Sequence, residues 1–123
     1  MSFDGMRVAF MGYSLDRISG VVRPQIHVVD ADGSNVRILT SSPYPVGEPC
    51  WLPEGAKIAF IRFIDMMGAR INVFQIDSDG RNLMRLTVGP TQDLRPSWSP
   101  DGSKLAFQSN RGGNFDIFVM TLR

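Results

Sequence analysis

Few residues in this chain are of a type and spacing that could do chemistry. The only histidine is His27 and the only cysteine is Cys50. One imidazole cannot build a multi-histidine metal site. Without a G-x-S-x-G elbow it does not suggest a hydrolytic triad either. His27 occupies the slot that Phe74 and Phe118 fill in matching segments, so it is expected to pack as a flat ring. Cys50 matches Ser97 and has no His or Lys placed to lower its pKa, which argues against a nucleophile. The segments DADG (30–33) and DSDG (77–80) space their carboxylates as calcium loops do. Their glycine comes too early and no Glu follows at the required distance, so they read as tight turns. Neither a P-loop nor G-x-G-x-x-G occurs, and RGG at 111–113 is a single isolated instance. No catalytic residue, cofactor site or metal site is expected, and the chain is read as a non-enzyme.

The composition agrees. Of 123 residues, 43% are hydrophobic and 20% charged, which excludes disorder driven by charge. Thirteen Lys and Arg against twelve Asp and Glu leave a net charge of +1. That balance gives no electrostatic footprint for nucleic acid. No apolar run approaches the ~20 residues of a membrane-spanning helix; the run 57–64 is interrupted by Arg62. The N-terminal MSFDGMRVAFMGYS lacks a basic stretch followed by an apolar one, so no signal peptide is expected. The lone cysteine excludes an intramolecular disulfide and leaves the compartment open.

The elements that must position any site come from a repeat. Shifted by 47 positions, residues 26–60 fall on 73–107, and fourteen of the thirty-five pairs are identical. They include Asp30/Asp77, Gly33/Gly80, Asn35/Asn82, Trp51/Trp98, Lys57/Lys104 and Phe60/Phe107. Residues 2–10 match 99–107, with Phe3 where the other copies carry Pro, and 116–120 match strands at 71–76 and 25–29. The chain thus holds almost three copies, the first without its beginning and the last without its end. Each full copy has four short β-type runs, a to d, joined by turn signals; in the middle copy these are 49–52, 57–62, 72–77 and 83–86. Four antiparallel strands per repeat predict an all-β fold of propeller blades with almost no helix. The expected blades span about 1–47, 48–94 and 95–123, within one partial propeller domain.

The segment RPSWSPDGSKLAFQSNRGGNFDIFVM (95–120) resembles the repeat of TolB-type six-bladed β-propellers. Tricorn-like and prolyl-oligopeptidase-like peptidases share this repeat type. The resemblance covers nearly the whole chain, and the middle copy departs from it at Cys50, Leu52 and Glu54. It implies a fold, a six-blade count and a periplasmic setting, but no catalytic residue here.

Propellers close with about 4–8 blades, and fewer than three are encoded. The terminal flanks are therefore expected to be bare, presenting Val8, Phe10, Ile26 and Val28 at one end and Leu105, Phe107, Ile117 and Phe118 at the other. The expected function is a non-catalytic protein-interaction or structural module. It would be completed by a second copy, two threes making six, or by a larger assembly. The alternative is a propeller piece gating a larger prolyl-oligopeptidase-like peptidase. The b–c and d–a connections share one rim and vary in length, which is where binding surfaces sit. On that rim or beside it, Tyr13, Arg17, Arg23, Tyr44, Glu48, Met66, Met67, Arg70, Asp93, Arg95 and Arg111 are the expected partner-binding residues. Glu48 and Arg95 precede strand a in equivalent places. Trp51 and Trp98 recur at the repeat period and are expected to pack between blades.

Overall fold

The structure, a computed structural model, describes residues 2, 5–15 and 19–122. Among them are ten strands and no helix. Strands β1 (Arg7–Leu15), β2 (Val22–Asp30) and β3 (Arg37–Ile38) form the first sheet, in the order β1-β2-β3. Strands β4 (Val46–Trp51), β5 (Lys57–Phe63), β6 (Ile71–Asp77) and β7 (Met84–Arg85) form a complete four-stranded sheet. Strands β8 (Asp93–Trp98), β9 (Lys104–Ser109) and β10 (Asp116–Thr121) form the third. All neighbouring pairs within the sheets are antiparallel. Strand a is thus missing from the first sheet and strand d from the third. The architecture is an open arc of three blades.

The turns follow their chemistry. In both c–d hairpins the Gly after Asp has positive φ, 86° at Gly33 and 88° at Gly80. The carboxylate of Asp32 accepts from Ser34 N at 2.9 Å, and that of Asp79 from Arg81 N at 3.0 Å. These acids are used up closing their own turns. In the third blade the a–b turn is closed by Asp101, which accepts from the Ser103 amide and from the Ser99 and Ser103 hydroxyls. Those bonds, led by the Ser103 amide, pull its pKa from 3.8 to about 2.

Packing between blades explains the repeat. Each blade presents an aromatic face to the blade before it and a smaller aliphatic face to the blade after. Ala9, Ile26 and Val28 of the first blade pack on Ile58, Phe60, Phe74 and Ile76 of the second. Ala59 and Val73 of the second pack on Leu105 and Phe107 of the third. Each aromatic face carries a stacked pair: Phe60–Phe74 at 6.0 Å and Phe107–Phe118 at 6.2 Å between centroids. In the first blade the pair is Phe10–His27 at 5.2 Å, so His27 is a stacked ring. Its Nδ1 donates to the Gln25 carbonyl at 3.0 Å. Trp51 belongs to the first junction and Trp98 to the second, as blade-packing residues.

This arrangement corrects part of the expected flanks. Ile26, Val28 and Leu105 are fully buried, Phe107 nearly so, and Phe118 packs against the second junction. Their sides of the sheets face the central blade. The bare faces are Val8, Phe10, His27 and Ile38 at one end, and Ala106, Ile117 and Val119 at the other. His27 is shielded there by its neighbours, whereas Phe10, Ile38, Ile117 and Val119 are exposed.

Candidate functional site

The rim formed by the b–c and d–a connections carries exposed apolar side chains. The first blade's b–c hairpin brings Tyr13, 69% exposed, together with exposed Leu15 and Val22. The second offers Met66 and Met67, the latter 90% exposed. The turn holding these methionines is braced from within: Asp65 accepts from the Ala69 amide at 3.1 Å and pairs with Arg70 at 3.4 Å. Burial pushes the Asp65 carboxyl up, but those bonds outweigh it and leave its pKa lowered. Val88 in the second d–a connection and Phe115 in the third b–c turn are also exposed. Arg23 is partly buried on β2, and Arg17 lies outside the described residues.

Asp93 is not a rim residue. It is fully buried at the start of β8, where it joins the second and third blades. Its carboxylate accepts from Ser109 Oγ at 2.6 Å, Asn72 Nδ2 at 2.9 Å, Thr91 Oγ1 at 3.0 Å and Arg111 Nη2 at 2.9 Å. Burial raises its pKa, but the bonds from Ser109, Thr87, Arg111 and Thr91 prevail and hold it below the ordinary carboxylate value. Arg111 also lies over the Phe107 and Phe118 rings at 5.4 and 5.8 Å. The two residues expected to face a partner instead face each other, as an ionic latch within the third blade, and the same carboxylate reaches across to Asn72 of the second. A buried carboxylate with four partners has no capacity left for an outside ligand.

Glu48 and Arg95 also meet. Each sits at a bulge in its a strand, with φ of 51° and 54°. The Glu48 carboxylate accepts from the Arg95 amide at 2.7 Å, across one whole repeat. Two non-glycine residues in the left-handed region are held there by equivalent bulges, which ties strand a of one blade to strand a of the next.

Tyr44 lines a cavity of about 310 Å³ with Arg62, Phe63, Ile64, Phe74 and Arg85. The two arginines were not among the expected site residues. Arg62 interrupts an apolar run and Arg85 lies on a two-residue strand. Their signal in the sequence was a cation on the same strand face as the aromatic pair. Among the described residues, no group of three or more His, Cys, Asp or Glu stands together as a metal site would require. No described helix is long and apolar enough to cross a membrane.

The family described as TolB beta propeller domain (PD40) matches residues 2–123. The Tol-Pal system protein TolB of Albidiferax ferrireducens is 44% identical over 41 residues, covering 33% of this chain and 10% of that protein. TolB from Acinetobacter baumannii superposes with a TM-score of 0.74 at 28% identity, covering 94% of this chain and 28% of that one. A putative TolB from Agrobacterium tumefaciens gives the same TM-score at 22% identity, covering 92% of this chain and 38% of that one. The chain therefore spans well under half the length of these relatives.

Proposed function

The chain belongs to the TolB β-propeller domain family, and on that premise we propose that it is a non-catalytic protein-interaction module. It is an arc completed by self-association, with its b–c and d–a rim turned to protein partners. One observation carries the reading: the two bare flanks are the two halves of a junction that the chain already makes twice. Ala106, Ile117 and Val119 repeat the positions of Ala59, Val73 and Gln75, and Ala59 and Val73 are covered by the third blade. Val8, Phe10 and His27 repeat Ile58, Phe60 and Phe74, which are covered by the first. Head-to-tail pairing of two copies places each aliphatic half on an aromatic half and makes six blades, the count the TolB-type repeat implies. Heterologous contacts of this kind close when the rotation closes.

The rim supports the second half of the reading. Exposed Tyr and Met are typical of interface cores, and Tyr13, on β1, and Met66 and Met67, in the turn after β5, are all exposed. The other reading, a propeller piece gating a prolyl-oligopeptidase-like peptidase, has only the shared fold in its favour.

Light scattering during size exclusion tests the proposal. The expected species is two copies for the native chain and one for Ile117→Asp, because a charge then lands in the joint. A native chain that runs as a cooperatively folded single copy refutes it.

A further inference from the structure

The internal repeat identifies a place where a charge partner is missing. In the third blade Arg111 lies over the aromatic pair and is neutralised by Asp93. In the second blade Arg62 lies over Phe74 at 5.2 Å. There the position equivalent to Asp93 is Val46; it pairs across the β4–β5 ladder with Arg62, which stands where the third blade has Ser109, so Arg62 reaches the aromatic pair from the strand and Arg111 from the turn after it. No described carboxylate pairs with Arg62, and its buried Nε meets no acceptor. A buried guanidinium N–H without a partner is costly and rare. A second cation, Arg85, stands 5.9 Å from the same ring. Its Nε donates to the Thr87 carbonyl at 3.1 Å and its Nη2 to Asn72 Oδ1, which fixes the side chain without neutralising it. Both arginines line the 310 Å³ cavity, whose other walls are Tyr44, Phe63, Ile64 and Phe74.

We infer that this cavity is a carboxylate-binding site, in which an incoming carboxylate does for Arg62 what Asp93 does for Arg111. The ligand is a carboxylate because Arg111, the cation over the matching aromatic pair one blade on, takes one from Asp93, and because a planar guanidinium pairs with it edge to edge. The mostly aromatic and aliphatic walls suit an acidic side chain or a chain terminus flanked by apolar groups. That this carboxylate comes from a protein partner rests on the function proposed above; the pocket itself does not.

The test titrates the full chain with sodium acetate and, separately, with inorganic phosphate, following the Nε–H resonances of its arginines. Acetate is expected to shift Arg62 saturably. Arg85→Gln, a change at an exposed position, should weaken that response about tenfold, the effect of losing one charge-assisted partner. Val46→Asp should abolish it by supplying the acid internally. No saturable shift with acetate overturns the inference. So does an undiminished shift in Val46→Asp, or a response to phosphate alone. The solution mass reads the proposed self-association independently, so the two ideas fail separately.

Discussion

At the residue scale, the buried Asp93 sets the strength of the second junction. Its pKa is depressed, so the sign is fixed. The stability it contributes is complete above the unfolded value of 3.8 and is lost as pH falls through its lower folded value. Replacing Asp93 by Ala leaves Arg111 and Asn72 without their acceptor at every pH above that window. A loss of about 2–3 kcal/mol is expected near neutrality, shrinking as the acid range is entered. Denaturant melts of both proteins across pH would show it; equal stability at pH 7 would remove the latch from the account. This residue was illegible in the sequence. An Asp in a connection between repeats reads as solvent-facing, and the matching Val46 gives no hint of a shared buried slot. Arg62 was hidden for the opposite reason, since a cation inside an apolar run reads as an interruption. His27 was legible because two phenylalanines occupy its slot elsewhere.

Elements were the most readable level, because period and turn chemistry agree. Strands b and c of the middle copy fall within a residue of where alternation and Asp-Gly turns place them, strand a starts three residues earlier, at Val46, across its bulge, and the repeated Asn after each such turn has its own reason. Asn35 and Asn82 sit at φ of 58° and 56°, a region Asn tolerates better than most side chains. Asn82 also donates to the Asp77 carboxylate at 2.7 Å. Asn82→Ala should therefore cost about 1 kcal/mol, and Asn82→Gly clearly less. Thermal melts of the pair would separate strain from ordinary surface change, and an Ala variant as stable as the Gly variant would contradict it. What alternation could not give was which neighbour each face meets. It distinguishes the two sides of a strand but does not order the blades. Ile26 and Leu105 were therefore placed on bare flanks that they do not occupy.

At the scale of the whole molecule, three sheets make two closed junctions and leave one sheet face uncovered at each end of the described arc. The N-terminal flank offers the aromatic half, Phe10 stacked on His27, and the C-terminal flank the aliphatic half, with Ile117 65% exposed. A stable chain with both halves uncovered would expose what its own core buries twice. The most direct measurement is an isotope-filtered nuclear Overhauser experiment on a mixture of carbon-13-labelled and unlabelled chains. Head-to-tail closure predicts a cross-peak from the Ile117 methyls of one copy to the Phe10 ring of another, mirroring Val73 against Phe107 within the chain. A well-folded mixture with no contact between copies at these residues would contradict it.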